Sequence, residues 1–263
     1  MSFHGFNRAI VRTPSQSVTA GLRAIDVGAP HYQSVLTEHA AYVAALEAAG
    51  VEVEILAPLE QFPDSVFVED TALVFTGAAI LLKPGAPSRT GEAAAMLPVL
   101  ERNFERVLAL PDGSADGGDV LATPRAVFIG VSLRTSVAGA AALASLLAQI
   151  GRQGVLVNTP TGVLHLKSDC ALLDDETILS TQRLAAAQPF PGFRTLLTPE
   201  GEEGAANALR IGDTVLVSES YPRTAELLAR AGYRVTPLAT HEIAKLDAGL
   251  SCLSLRWRDG ARA

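Results

Sequence analysis

A strand-then-helix pattern that recurs along the chain constrains the fold more than any other feature of the sequence. In each copy a short β-like run precedes an Arg-Thr pair, and an Ala- and Leu-rich stretch with helical periodicity follows. The clear copies are residues 80–90, 127–135 and 215–224. Arg89 and Arg134 are 45 residues apart, and Arg134 and Arg223 are 89 residues apart, which is almost two such periods. A further, degenerate copy is therefore expected between the last two.

Residues 178–187 fit that degenerate copy, and a strongly periodic helix at residues 32–49, ended by Gly50, supplies a unit before Arg89. The chain thus contains about five units of roughly 45–50 residues, each with strands and a helix. This repeat predicts an α/β fold in which five units close into a ring. No linker-like segment interrupts the chain, so residues 1–263 are expected to form a single domain.

Composition narrows the function. With 48% hydrophobic and 19% charged residues among 263, the chain can bury a core, which excludes a wholly disordered or fibrous protein. Its formal net charge of −7 has the wrong sign for binding nucleic-acid phosphates. The most apolar helical stretch, residues 138–150, is too short to cross a bilayer, and the N-terminus has no secretory signal. We expect a cytoplasmic protein without a nucleic-acid or membrane partner.

The Arg-Thr pairs have two interpretations. Each Thr fits a helix N-cap, whose hydroxyl accepts a hydrogen bond from the first turn. Arg89 and Arg134 are either solvated, as surface arginines usually are, or directed from loops towards a shared centre of the ring. The sequence alone favours solvation.

An apolar, strand-like run at residues 63–75 carries three carboxylates, Asp64, Glu69 and Asp70. If the run is extended, Asp64 and Asp70 lie on one face and Glu69 lies on the other with Phe67. The acids then either end a strand and face water or form a binding site, and their spacing favours neither.

A second motif, Asp116-Gly117-Gly118-Asp119, places paired glycines after an acid. Glycine permits a close approach of backbone and ligand, but an Asp-Gly hairpin turn explains the same residues and is the preferred interpretation of the motif alone.

Two reactive side chains, His165 and Cys252, lie in apolar stretches. Each alone is more often an inert core residue. A Cys with a distant His and carboxylates is also the minimal set for nucleophilic catalysis, because a thiolate needs a base or a cation to form. Two cysteines are too few for a disulfide scaffold, so both are expected to be free thiols, with Cys170 structural. No His or Cys pair has local metal-ligand spacing and no Gly-x-Ser-x-Gly motif occurs, so we expect no metal, no cofactor and no serine hydrolase.

Taken together, five motifs resemble the dimethylarginine dimethylaminohydrolase family from end to end and in the family's order. They are residues 62–70, 83–89, 116–119, 164–167 and 246–252. The resemblance implies the five-bladed α/β propeller of the guanidine-modifying pentein superfamily, in agreement with the repeat. It also implies hydrolysis of N-ω-methylated arginines to citrulline and an amine through a covalent cysteine S-alkylthiouronium intermediate, without a cofactor.

By this resemblance Cys252 is the nucleophile, His165 the general acid and then base, and Asp116 a catalytic carboxylate. The implied substrate-binding residues are Leu22, Asp64, Phe67, Glu69, Asp70, Arg89, Arg134 and Leu246.

Among these, two arginines would grip the substrate carboxylate and main-chain groups of the two leucines would hold the α-amino group. Asp70 and Asp116 would clamp the planar guanidinium, since carboxylates accept its N–H groups directionally.

Two alternatives stay open. An arginine deiminase uses similar chemistry on unmethylated arginine, although that family typically carries an additional helical insertion. The same propeller also serves as a non-enzymatic ribosome-binding factor, against which His165, Asp116 and Cys252 argue. A small-molecule methylarginine is the implied partner, and the sequence leaves a homodimer open.

Overall fold

Strands and helices alternate in the order that the repeat predicts. A computed structural model describes residues 4–260. Its strands are β1 Arg8–Arg12, β2 Glu52–Leu56, β3 Ala72–Phe75, β4 Ala78–Leu81, β5 Arg106–Ala109, β6 Val120–Ala122, β7 Val127–Val131, β8 Gly154–Asn158, β9 Cys170–Leu172, β10 Thr177–Ser180, β11 Arg194–Leu197, β12 Leu209–Ile211, β13 Thr214–Ser218, β14 Arg234–Leu238 and β15 Leu255–Trp257. Its α-helices are α1 Tyr32–Ala48, α2 Thr90–Asn103, α3 Val137–Gln149, α4 Gln182–Ala186 and α5 Pro222–Arg230. No helix in this part of the chain is both long and apolar enough to span a membrane.

Between residues 4 and 260 the strands form five sheets of three strands each. In every sheet the central strand pairs antiparallel with one neighbour and parallel with the other. The parallel partner always follows an α-helix, as a crossover between parallel strands requires. The predicted five units are therefore present, including the degenerate copy, which contains β10 and α4.

The first sheet is made from both ends of the chain. Its order is β15-β1-β2, so the last strand pairs with the first, with Ile10 opposite Leu255 and Arg8 opposite Trp257. The other sheets, β3-β4-β5, β6-β7-β8, β9-β10-β11 and β12-β13-β14, are each continuous in sequence.

Apolar residues of the helices pack on the sheets. Each helix contributes to one apolar cluster with its own sheet, and these clusters take in side chains of neighbouring sheets as well. In α1 the buried side chains include Val35, Tyr42, Val43 and Leu46, and Gly50 follows with a φ of +82°, as its predicted capping role requires. Burial of these faces holds the helices against the sheets.

Two sequence predictions of local structure are wrong. The run at residues 63–75 is not one strand: Val68–Thr71 is a 3-10 helix and β3 begins only at Ala72. The alternation of faces predicted for Asp64, Phe67, Glu69 and Asp70 therefore does not occur, and all four side chains are buried.

The Arg-Thr threonines do not cap helices. Thr90 lies inside α2 and Thr224 inside α5, and Ser136, not Thr135, caps α3 by accepting from the N–H of Gly139. Instead, Thr135 donates its hydroxyl to Asp119, and Thr224 donates to Glu202, each at 2.7 Å. The predicted solvation of Arg89 is also wrong, because its side chain is only 6% exposed.

Candidate active site

Loops from several units line one cleft of about 140 Å³. These loops precede β3, β9 and β15 or lead into α1, α2 and α3. The lining residues are Leu22, Arg23, Ala24, Asp64, Phe67, Asp70, Arg89, Arg134, Leu164, His165, Leu246, Asp247, Ala248 and Cys252. Of the eleven site residues predicted from sequence, all of which lie in the described part of the chain, nine are among them and Asp116 and Glu69 are not.

Asp116 reaches the cleft only through His165. It is completely buried, and its Oδ2 atom lies 3.0 Å from Nε2 of His165. Its Oδ1 atom accepts the backbone N–H of Gly85 at 2.6 Å. Each carboxylate oxygen thus has one partner inside the protein, and Asp116 is not among the residues that line the cleft, so its direct clamp on a guanidinium stays a prediction.

His165 lies within an acidic surrounding. Burial disfavours the charged imidazolium, but the charge of Asp70, the hydrogen bond with Asp116 and the charge of Asp119 together raise the pKa of His165 to about 9. Asp119 also accepts the N–H of Leu166, the next residue, at 2.9 Å. At neutral pH His165 is therefore a protonated imidazolium whose ring is hydrogen-bonded to Asp116, and it can donate a proton.

The Asp-Gly-Gly-Asp motif is a close approach of backbone to the site, so the hairpin-turn interpretation is wrong. Gly117–Asp119 is a buried 3-10 turn. A Cβ on Gly117 would come within 1.9 Å of the carbonyl oxygen of Glu69, and one on Gly118 within 2.9 Å of the His165 ring. Only glycine allows this packing.

Asp70 and Arg89 form a buried ion pair at 2.5 Å. Arg89 also donates to Glu92 and to the carbonyl oxygens of Asp64 and Phe67. Burial opposes ionisation of Asp70, but Arg89 and His165 outweigh it and hold its pKa at about 2. Asp70 is therefore an ionised side chain that lines the cleft. Arg89 is held in position by these hydrogen bonds within the protein.

Within the described residues Nη1 of Arg89 has Asp70 as its one hydrogen-bond acceptor, and Arg89 is among the residues that line the cleft. Arg134 also lines the cleft, and it contributes positive charge near Asp64. These two arginines therefore face the same space, as predicted from the alternative interpretation of the Arg-Thr loops.

The loop at residues 22–24 is attached to the cleft through its backbone. The N–H of Leu22 donates to Asp64 at 2.9 Å, and the N–H of Ala24 donates to Asp247 at 2.5 Å. The two bonds cover the cleft with Leu22 and Arg23. Asp64 therefore holds this loop in place.

Cys252 is half-buried in a 3-10 turn, Leu250–Leu253, at the edge of the cleft. Burial and then the negative charges of Glu69 and Asp70 raise the pKa of its thiol to about 11, although the backbone at Gly249 and the charge of Lys167 act in the opposite direction. The thiol is neutral in the free protein at pH 7. Cys170 is also a free thiol, but it is 1% exposed and its pKa is raised far more by burial.

Glu69 lies in a separate cavity of about 180 Å³. Its carboxylate is bound by Lys167 at 2.6 Å and by Arg256 at 2.9 Å, and it accepts the Ser251 hydroxyl at 2.9 Å. The prediction that Glu69 lines the substrate cleft is therefore wrong. It accepts a hydrogen bond from Ser251, the residue before Cys252, on the side away from the cleft lining.

Sequence reasoning missed Asn207. Its Nδ2 donates to Sγ of Cys252 at 3.6 Å, and its Oδ1 accepts the N–H of Ser251 at 3.0 Å. The available signal was a lone amide among small residues, Gly204-Ala205-Ala206-Asn207-Ala208, directly before a strand.

Asp70, Asp116 and His165 could hold a metal ion, since their ligand atoms lie within 4.8 Å of one another. The carboxylate oxygens already accept from Gly118, Arg89, Gly85 and His165. A cation there would have to replace these hydrogen bonds, so the cluster suits proton transfer better than metal binding.

Known proteins resemble this chain in sequence. The family model "N,N dimethylarginine dimethylhydrolase, eukaryotic" matches residues 27–159. An N(G),N(G)-dimethylarginine dimethylaminohydrolase of Pseudomonas aeruginosa is 38% identical over 96% of this chain and 100% of its own length. The enzyme of the same name from Streptomyces coelicolor is 36% identical over 96% of this chain and 97% of its own length.

Solved structures agree. A cysteine-to-serine mutant of the Pseudomonas aeruginosa enzyme, complexed with citrulline, has a TM-score of 0.92 at 37% identity and covers 96% of this chain and 99% of its own. The N-terminal domain of a cyanobacterial arginine dihydrolase has a TM-score of 0.83 at 19% identity, with coverage of 95% and 96%, and shares the fold. Similarity of this extent in sequence and structure is that of one family, and this chain belongs to the dimethylarginine dimethylaminohydrolases.

Proposed function

We propose that this protein hydrolyses N-ω-methylated arginines, asymmetric dimethylarginine and monomethylarginine, to citrulline and dimethylamine or methylamine. One observation carries the proposal: a free thiol, a protonated histidine and an ionised aspartate, Cys252, His165 and Asp70, line a single cleft. The Pseudomonas aeruginosa relative has been solved with citrulline, and a histidine-to-glycine variant of a dimethylarginine dimethylaminohydrolase as an adduct with S-methyl-L-thiocitrulline.

The cleft offers opposite charges to the two ends of such a substrate. Asp70 accepts N–H groups of the guanidinium beside Cys252, and Phe67 packs along the aliphatic part. Arg134 and Arg89 bind the carboxylate. Main-chain groups of Leu22 and Leu246 hold the α-amino group.

Substrate binding itself promotes ionisation of the nucleophile. The thiol, with a pKa of about 11, is protonated in the free protein. A guanidinium between Asp70 and Sγ favours the thiolate, because an opposite charge within a few ångströms stabilises the ionised form. The thiol then loses its proton to solvent.

The first half of the reaction uses the imidazolium of His165. The thiolate of Cys252 attacks the guanidinium carbon and forms a tetrahedral adduct. His165, held by Asp116 at 3.0 Å, donates its proton to the departing amine. An S-alkylthiouronium cation on Cys252 and a neutral imidazole result.

The second half runs the proton in the opposite direction. Neutral His165 takes a proton from water, and the hydroxide adds to the thiouronium carbon. The sulfur leaves as the Cys252 thiolate, the O-protonated product loses its hydroxyl proton to solvent, and citrulline forms, with His165 again an imidazolium. Asp116 acts by orienting the ring and stabilising its charged form, and Glu69 supports the turn that carries Cys252 through Ser251.

The proposal extends to the architecture. The five sheets are interpreted as blades of one α/β propeller with pseudo-fivefold repeats, and residues 1–263 as one catalytic domain. The pairing of the last strand β15 with β1 supports this interpretation, because it closes the series of sheets.

Citrulline release tests the function. Asymmetric dimethylarginine, monomethylarginine and arginine are each supplied to the wild type, to Cys252→Ala and to the matched control Cys170→Ala. We expect release from the methylated substrates with the wild type and the control and none with Cys252→Ala. Turnover of arginine alone would assign the chain to the deiminases. No citrulline release from any of the three substrates would favour a binding protein.

A further inference from the structure

Asn207 is a polar side chain beside Cys252 to which no role has been assigned. It lies between the 3-10 helix Glu203–Ala206 and β12, in a different unit from the turn that carries Cys252. Both ends of its amide contact that turn: Oδ1 accepts from Ser251 N–H at 3.0 Å, and Nδ2 donates to Cys252 Sγ at 3.6 Å.

The orientation of this amide follows from its partners. The N–H of Ser251 can only donate, so the amide oxygen faces it and the NH₂ group faces the sulfur. Gly249 fixes the position, because a Cβ there would lie 2.4 Å from Cγ of Asn207. The glycine before the nucleophile thus makes room for the amide.

The charged groups around Sγ of Cys252 leave the thiolate with little stabilisation, so a neutral hydrogen-bond donor such as Asn207 matters for its ionisation. Glu69 and Asp70 disfavour the thiolate, whereas Lys167 favours it, and Lys167 is itself paired with Glu69. His165 faces the same cleft as a cation. Asn207 is the side-chain hydrogen-bond donor to Sγ among the described residues, and hydrogen bonds to a charged form favour that form.

We propose that Asn207 is a further catalytic residue, whose side-chain N–H stabilises the thiolate of Cys252 while its carbonyl oxygen positions the turn. The proposal rests on the assigned role of Cys252 as nucleophile. It makes the amide group a fixed donor that does not change protonation state during the reaction.

Alkylation of Cys252 by iodoacetamide tests this without substrate, so its result is independent of the proposed function. The rate is measured from pH 6 to 11 by mass spectrometry for the wild type, Asn207→Asp and Asn207→Ser. Asn207→Asp keeps an oxygen for Ser251 N–H but replaces the donor to sulfur; Asn207→Ser removes the amide without adding charge. Asn158→Asp, an exposed position at the end of β8, controls for the added charge.

Both Asn207 variants are expected to alkylate about tenfold more slowly at pH 8, with the profile displaced to higher pH, and the control to match the wild type. An unchanged profile in either variant would overturn the proposal. If only Asn207→Asp slowed alkylation, its added charge would explain the effect; if only Asn207→Ser did, a change in the geometry of the turn would explain it. With methylarginine, kcat is expected to fall in Asn207→Ser while KM stays within about twofold.

A measurement on the native side chain covers variants that fail to fold. The side-chain carbonyl carbon resonance of Asn207, which involves no exchangeable proton, should shift as the Cys252 thiol titrates in the wild type and stay constant over the same pH range in Cys252→Ala. A resonance that does not respond to the thiol in the wild type would contradict a bond to Sγ.

Discussion

Asp116 and His165 divide one chemical task between a buried acid and an accessible ring. The carboxylate is completely buried, whereas the imidazole side chain is 12% exposed and lines the cleft. Gly85 N–H and the ring share the two oxygens of Asp116. This arrangement fixes the ring and keeps its proton at neutral pH, as a general acid for amine departure requires.

Replacing Asp116 with Asn should lower the pKa of His165 from about 9 towards its ordinary value, because the charge that stabilises the imidazolium is removed. The NMR titration of the ring protons measures this directly. Turnover above pH 7 should fall at least about tenfold, since less imidazolium is available. Asp112→Asn, an exposed acid in the same stretch, is the control, and an unaltered ring titration in Asp116→Asn would contradict the assigned role.

The same pKa predicts how stability depends on pH. A folded-state value of about 9 lies above the unfolded value of about 6.5, so the imidazolium stabilises the fold fully below pH ~6.5, and that contribution disappears as pH rises through about 9. Urea unfolding of the wild type and His165→Gln at pH 6 and pH 10 measures it. The wild-type advantage should shrink by about 3 kcal/mol between these pH values. A constant difference would mean that folding does not change the pKa of His165.

Among the structural elements, a bond between an acid and a threonine recurs. Asp119 accepts from Thr135, and Glu202 accepts from Thr224, where each threonine lies at the start of a helix. Asp169 and Thr181 repeat the bond at α4, at 2.6 Å. In each case the acid lies ahead of the unit's central strand, so the bond ties the loop before the unit to the helix inside it.

Thr135→Val and Thr224→Val separate the structural and functional parts of this bond. Each should lower the free energy of unfolding by about 1 kcal/mol, because the carboxylate loses one of its donors and keeps another, from Ser132 or from the Thr224 N–H. Only Thr135→Val should also reduce kcat, because Asp119 holds Leu166 N–H next to His165 and the Thr135 hydroxyl accepts the backbone N–H of Asp116. Chemical denaturation and citrulline release at saturating methylarginine measure the two effects. Equal kcat losses in both variants would refute the link through Asp119.

The threonines also illustrate what local patterns can determine. The repeat at residues 89–90, 134–135 and 223–224 located the helix starts correctly, but the N-cap assignment failed. The hydroxyls of Thr135 and Thr224 donate to acids that are remote in sequence, and the hydroxyl of Thr90 donates to the carbonyl of Pro87. The run at residues 63–75 failed for a related reason. Asp64, Glu69 and Asp70 are bound by Leu22, Lys167 and Arg89, and these contacts favour a turn over the strand that Val66, Phe67 and Val68 indicate.

For the molecule as a whole, the number and order of the units could be predicted from periodicity, because the 45-residue repeat reflects local strand and helix formation. The cleft could be predicted only through the motifs' resemblance to a family, since its groups are up to 230 residues apart. Which side of a loop a carboxylate faces could not be predicted. Glu69 and Asp70 are adjacent in sequence, yet they line separate cavities.

The pairing of the first and last strands lies next to the turn that carries Cys252. Strand β15 pairs with β1 and follows the Cys252 turn directly. Arg256 in β15 donates to the carbonyl of Ser251 at 2.8 Å and binds Glu69. Trp257 packs on Phe104 with a centroid distance of 4.8 Å, which joins the first sheet to the end of α2. The pairing of the first strand and the support of the Cys252 turn thus both involve β15, Leu255–Trp257.

A chain ending at Ser254 should therefore lose stability and activity together. Removal of β15 takes away the antiparallel partner of β1, the buried Trp257, worth about 3–5 kcal/mol by itself, and the support of the Cys252 turn. A chain ending at Asp259 keeps all of these and is the matched control. Urea unfolding followed by circular dichroism, with citrulline release in parallel, measures both properties. If the two truncated chains unfolded at the same urea concentration, pairing of the chain ends would not hold the ring closed, and the fold would depend on contacts within the units alone.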